Sequence, residues 1–96
     1  MCTYLTEKVA ATGSARGASD WFDVSEATVY FDHPQHAQYA HTLNIDFLNP
    51  DQGPSARVAV ELTAETARAL AQAIVSTLSS VPTGLLEEPA LSGHAT

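Results

Sequence analysis

The sequence predicts a small α+β domain, in which a four-stranded antiparallel meander is followed by one C-terminal helix packed on one sheet face. Three observations support this fold class. Four segments show the two-residue alternation of strands, a later segment shows the three- and four-residue spacing of an amphipathic helix, and turn residues separate the segments. Residues 1–81 are expected to form a single compact domain, and residues 82–96, which have no periodicity, a mobile C-terminal tail.

The first strand is expected from Cys2 to Ala11, because apolar Leu5 and Val9 alternate there with polar residues. The stretch GSARGASD, residues 13–20, follows as a polar connection punctuated by glycine. It lacks the Lys-Ser/Thr ending of a phosphate-binding loop, so it predicts no nucleotide site.

The second strand is expected to begin at Trp21. The phase of its apolar residues shifts near Ser25 and Glu26, which indicates either a β-bulge or a short turn that splits the segment. The third strand should run from His41 to Leu48, where apolar and polar residues again alternate.

The fourth strand is expected from Arg57 to Leu62, after the proline- and glycine-containing turn of residues 49–56. Thr63 is a suitable helix N-cap residue, and apolar residues then recur at helical spacing over residues 64–81. Pro82 then ends the helix. The apolar stripe of this helix is expected to lie across the sheet.

The strongest strand signal lies in TVYFDHPQHAQYAHTLNIDFL, residues 28–48. We expect this stretch to form an antiparallel hairpin in which Phe31 lies opposite Leu43 and Val29 opposite Ile45. This register brings the apolar residues of both strands to one side of the sheet, whereas a slip by one residue would separate them onto different faces.

The same register sets His33 opposite His41, at the mouth of a loop that runs from Pro34 to Ala40 and carries His36. Directly opposed residues have Cβ atoms roughly 4.5 to 5.5 Å apart, so two imidazoles should meet there. Imidazole is a common ligand of divalent transition metals, and three protein ligands with one open position are typical of catalytic metal sites. One prediction is therefore a metal site formed by His33, His36 and His41.

Other roles are open for these histidines. The unperturbed pKa of imidazole, near 6.5, suits proton transfer at neutral pH, so His33 and His41 are also candidate catalytic groups of a small cofactor-free isomerase, cyclase or hydrolase. The nearby carboxylates of Asp32 and Asp46 could orient a ring. Histidines at a strand end and in a loop are, however, often ordinary surface or hydrogen-bonded residues.

The polar face of the hairpin is another candidate surface, either for a small ligand or for a protein partner. Tyr30, Asp32, Asn44 and Asp46 are its candidate ligand-binding residues, and two threonines complete it. The six residues that share this face are Thr28, Tyr30, Asp32, Thr42, Asn44 and Asp46.

Composition excludes several classes of partner. Eleven acidic residues against four basic ones give a formal charge of −7, and no cluster of lysine and arginine occurs. Nucleic acids and anionic membranes are therefore disfavoured, since phosphate groups need a basic surface. The one cysteine, Cys2, excludes an intrachain disulfide, although removal of Met1 would make it an N-terminal nucleophile or metal ligand. We expect a cytoplasmic protein, and its small core favours a homodimer.

The stretches MCTYLTEKVA, WFDVSEATVYFDHPQHAQYAHTLNIDF and RVAVELTAETARALAQAI resemble a family of short, chiefly actinobacterial proteins that is known only as a domain of unknown function. The resemblance spans about residues 1 to 80 and is most specific in the Met-Cys-Thr opening and the Phe-Asp-His-Pro stretch. It implies one compact domain and transfers no activity, ligand or catalytic residue.

Taken together, the residues predict a small binding protein that holds a divalent transition metal ion or a small ligand at the histidine-bearing loop between the second and third strands. The alternatives are the cofactor-free enzyme, with a histidine as general acid or base, and an accessory factor that binds another protein through the polar sheet face.

Overall fold

The computed structural model describes residues 5–86, which fall into two units, one ending at Thr63 and the other beginning at Ala64. The first unit is a four-stranded antiparallel sheet with the strand order β1-β2-β3-β4, so the predicted meander is confirmed. The strands are β1 (Leu5–Arg16), β2 (Trp21–Asp32), β3 (Thr42–Leu48) and β4 (Arg57–Leu62).

The hairpin of β2 and β3 has the predicted register. Phe31 pairs with Leu43 and Val29 with Ile45, so the apolar residues of both strands lie on one face. We call this side of the sheet the apolar face and the other side the polar face. β4 continues the alternation, since its Val60 pairs with Ile45.

The first strand is longer than predicted, and the irregularity of the sheet lies in this strand rather than in β2. β1 extends to Arg16, and its register against β2 shifts between Ala10 and Gly13. β2 is continuous from Trp21 to Asp32, so neither a turn nor a break splits it. The glycine-containing end of β1 becomes a strand because residues 13–16 pair with residues 21–24 of β2.

Two turns meet at the end of the sheet opposite the histidines. The chain turns between β1 and β2 through Gly17, and a Cβ atom at this position would lie only 3.3 Å from the backbone oxygen of Ser55 in the turn before β4. That second turn contains a short 3-10 helix, Pro50–Gln52, followed by Gly53 with φ of 95°. Such a backbone angle is readily adopted only by glycine. Val24 and Ala56 are buried at this end.

The second unit contains α1 (Ala64–Ser80) and the short α2 (Thr83–Leu86). α1 confirms the predicted helix, and α2 lies at the start of the segment that was expected to be a mobile tail. In the part of the chain that the structure describes, no helix is both long and apolar enough to cross a membrane. The packing of the helix on the sheet, the single compact domain and the homodimer stay predictions.

Candidate functional site

The two histidines at the mouth of the β2–β3 loop lie in contact. The ring centroids of His33 and His41 are 4.5 Å apart, and the two rings are inclined by 29°. His41 also stacks on Phe31, with a centroid distance of 5.7 Å and an angle of 12°. The hairpin register thus produces a stack of three rings at this end of the apolar face.

The His33 ring is held in place by the far end of its own loop. Its Nδ1 lies 2.9 Å from the carbonyl oxygen of Ala40. A carbonyl oxygen can only accept a hydrogen bond, so Nδ1 must carry a hydrogen, and in the neutral ring Nε2 then bears the lone pair. The backbone N–H of His33 also donates to Oδ1 of Asp32 at 2.7 Å, which fixes the point where the chain leaves β2.

The middle of the loop is bound by one carboxylate from β4. Glu61 accepts hydrogen bonds from the backbone N–H groups of Gln35 (2.5 Å), His36 (3.1 Å) and Ala37 (2.9 Å). These bonds favour the charged form of the carboxyl group, and those from Ala37 and Gln35 contribute most, so the pKa of Glu61 is held below its ordinary value.

This carboxylate holds the loop against the polar face of the sheet, because Glu61 lies directly opposite Asn44 of β3. Three polar side chains of this face are buried there: Asp32 is 8% exposed, Asn44 5% and Thr42 0%. The hydroxyl of Thr42 donates to Oδ1 of Asn44 at 2.6 Å. Buried polar groups of this kind are stable only when they are hydrogen-bonded.

The rest of the polar face is half-buried. Tyr30 pairs with Asn44, and its pKa is raised, first by burial and then by the negative charge of Asp46. Asp46 also accepts a hydrogen bond of 3.1 Å from the guanidinium of Arg57. The predicted six-residue surface is therefore divided: its end near the loop is buried, and its middle forms a small cluster of Tyr30, Asp46 and Arg57.

The structure brings two of the three predicted metal ligands together. His36 lies by Glu61, since its backbone N–H donates to that carboxylate and its charge acts on the carboxylate's pKa. His33 instead stacks on His41, which in turn stacks on Phe31. Within residues 5–86, no three histidine, cysteine or carboxylate side chains are grouped closely enough to hold a metal ion. The three-histidine site therefore stays a prediction that this arrangement does not assemble, and Cys2 lies outside the described residues.

Glu61 is the residue that the sequence pattern did not identify. Strand alternation placed it outward from the apolar residues of β4 and indicated nothing further. The one available signal was its position: in a meander with the observed register, an outward residue near the end of β4 is adjacent to the β2–β3 loop, where unpaired backbone N–H groups attract a carboxylate.

Fold and site together define a small α+β domain built on a meander with a histidine-bearing hairpin loop. The chain belongs to the family of unknown function DUF6295, whose model matches residues 1–87. This confirms the resemblance to a domain of unknown function. No curated protein and no solved structure is significantly similar to the chain.

Proposed function

We propose that this domain is a small binding protein and that His33 and His41 hold its ligand, a divalent transition metal ion such as zinc. The observation that carries the proposal is the contact between the two imidazoles, whose centroids are 4.5 Å apart. Neutral imidazole is among the commonest metal ligands in proteins.

The distance between the rings suits a shared ion. A zinc–nitrogen bond is about 2.0 to 2.1 Å long, so two ligating nitrogens lie within about 4 Å of each other. Because the rings are already in contact, reorientation of the His41 ring alone would direct one of its nitrogens towards an ion at Nε2 of His33, whose ring keeps its hydrogen bond to Ala40. The binding site therefore avoids the large side-chain rearrangement that two separate surface histidines would need in order to bind one ion.

The hydrogen bond of His33 supports the same role. Metal-ligating histidines commonly donate their other ring N–H to a backbone carbonyl or a carboxylate, which fixes the tautomer and orients the ring. His33 makes such a bond, from Nδ1 to the carbonyl oxygen of Ala40. Its Nε2 is therefore the nitrogen that would bind the ion.

Two protein ligands leave the remaining coordination positions to water or to a small molecule. His36 contributes no ligand in this proposal, because its backbone is bound to the Glu61 carboxylate and that carboxylate lies on the polar face. The bound ion could thus present an open position to a small anionic or carbonyl-containing ligand, which is the usual role of open positions at protein metal sites.

The test is zinc binding by untagged protein that was purified without chelator and without a nickel column. Calorimetric titration should give one zinc ion per chain for the natural protein and for the His36→Ala variant. The His33→Ala and His41→Ala variants should each lose binding while keeping the circular dichroism spectrum of the folded protein.

Retention of zinc by both His33→Ala and His41→Ala would overturn the proposal, and so would the absence of binding by the natural protein. Loss of binding in His36→Ala as well would favour the three-histidine site instead. If no metal binds, the lone pair on Nε2 of His33 still suits a proton acceptor, and the acid–base enzyme becomes the better hypothesis.

A further inference from the structure

Three consecutive backbone N–H groups of the β2–β3 loop converge on one side chain. Gln35, His36 and Ala37 all donate to the carboxylate of Glu61, and they are 26, 25 and 24 positions away from it in the sequence. Successive N–H groups that point to one centre form an anion-binding concavity. Here the chain fills that concavity with its own carboxylate.

The bound segment is connected directly to the histidine pair. Ala40, whose carbonyl oxygen accepts the hydrogen bond from Nδ1 of His33, lies three residues after Ala37. The position of this carbonyl sets the orientation of the His33 ring, and the loop that carries the carbonyl is fixed in the middle by Glu61. The carboxylate on the polar face therefore controls a ring at the end of the apolar face.

We propose that Glu61 is a positioning residue for the His33–His41 site: its carboxylate occupies the loop's anion-binding concavity and thereby holds Ala40 where it orients the His33 ring. This inference rests on the proposed metal-binding function, which it deepens. Glu61 contacts neither ring in this role and acts only through the loop.

The surroundings of the carboxylate favour this role. Directly opposite on β3 is Asn44, which carries no charge, and the group on the loop whose charge acts on Glu61 is His36. A protonated His36 would strengthen the interaction, since opposite charges attract. The backbone N–H groups of Ala37 and Gln35 contribute more to the stability of the charged Glu61 carboxylate than the charge of His36 does. A small carboxylate in solution could accept the same hydrogen bonds.

The experiment compares the natural protein with Glu61→Ala and with Glu7→Ala as the matched control, since Glu7 lies on β1 opposite Val29. Hydrogen exchange should show that the amides of Gln35, His36 and Ala37 lose protection in Glu61→Ala only. The zinc affinity of Glu61→Ala should fall about tenfold, as for the loss of a residue that orients a metal ligand.

Chemical rescue separates this role from a general loss of stability. Excess formate, the smallest carboxylate, should restore amide protection and zinc affinity to Glu61→Ala, whereas chloride at equal ionic strength should not. Nitrogen NMR shifts of the His33 ring should show the loss of the Nδ1–H tautomer preference in Glu61→Ala and its return with formate.

Unchanged amide protection in Glu61→Ala would overturn the inference, and so would lost protection with unchanged zinc affinity. Absence of zinc binding in the natural protein is a different result: it would overturn the proposed function, and with it the positioning role, even if the amide data agreed. Because the exchange measurement needs no metal, the two failures are distinguishable.

Discussion

The two ends of the sheet are each held by one polar side chain that reaches across strands, but the two side chains differ in charge. At the turn end, Asn49 donates from Nδ2 to the carbonyl oxygen of Asp23 at 2.9 Å and accepts from the N–H of Asp51 at 3.1 Å. At the histidine end, Glu61 accepts three backbone N–H bonds from the loop.

This difference in charge makes the two ends of the sheet respond differently to pH. Asn49 is buried, and its side-chain amide does not titrate, so its hydrogen bonds do not depend on pH in the ordinary range. The carboxyl group of Glu61 holds its loop most strongly when it is charged, since the backbone N–H bonds favour the charged form. The turn end is thus a fixed part of the sheet, whereas the histidine end can be released by removing one charge.

The largest effect is expected from Asn49→Asp, which removes the donor at the turn end. A carboxylate oxygen would then face the carbonyl oxygen of Asp23, and the free energy of unfolding should fall by about 3 kcal/mol at neutral pH. Denaturation with urea measures this. The loss should be smaller at acid pH, where protonation restores a donor, and an equal loss at all pH values would contradict the explanation.

Thr42→Val is expected to have the next largest effect. Thr42 is fully buried and its hydroxyl donates to Oδ1 of Asn44 at 2.6 Å, so valine keeps the shape and leaves a buried acceptor without this donor. The free energy of unfolding should fall by about 1 to 2 kcal/mol. Thr28→Val is the control: Thr28 lies on the same face of the sheet, in β2, and its hydroxyl makes a longer hydrogen bond of 3.4 Å to Glu26. Equal losses in both variants would show that the buried bond is not the cause.

Acidification should release the histidine end alone. The pKa of Glu61 is lowered by its bonds to the loop, so the stabilisation is fully present above the ordinary value of 4.5 and is lost as the pH falls below that value, through the lowered pKa. Amide exchange, corrected for its intrinsic pH dependence, should show the loop opening while the turn before β4 stays protected. Simultaneous opening of both ends would indicate global acid unfolding instead.

The sequence determined the centre of this sheet better than its ends. Alternation over residues 27–32 of β2 and over β3 specified the register, because a slip by one residue would have exposed every apolar side chain of a strand. The irregularity was expected in the second strand near Ser25, but the extra residue lies in β1, between Ala10 and Gly13. The small and polar residues of this part of β1 show no apolar alternation whose phase could have revealed it.

The site was predictable to a similar degree. The contact of His33 with His41 followed from the register, since opposed residues at a hairpin mouth must meet. The role of Glu61 did not follow from the sequence, because its partners are backbone N–H groups, which every residue except proline has and which leave no mark in a sequence. The burial of Asp32 and Asn44 was not predicted either, since alternation indicates on which face a residue lies and not what covers that face.

The smallest change in the free energy of unfolding is expected from Arg57→Gln, because the charge of Arg57 is exposed. The guanidinium of Arg57 lies 3.1 Å from Oδ1 of Asp46, but the Arg57 side chain is 51% exposed and that of Asp46 15%. Water and salt weaken such pairs, so Arg57→Gln should change the free energy of unfolding by less than about 0.5 kcal/mol. It should also raise the pKa of Tyr30 further, because the positive charge of Arg57 lowers the pKa of that phenol. A loss of stability as large as that of Asn49→Asp would contradict this expectation. The cluster of Tyr30, Asp46 and Arg57 would then stabilise the sheet as strongly as the uncharged Asn49 does, and the contrast between charged and neutral contacts would fail.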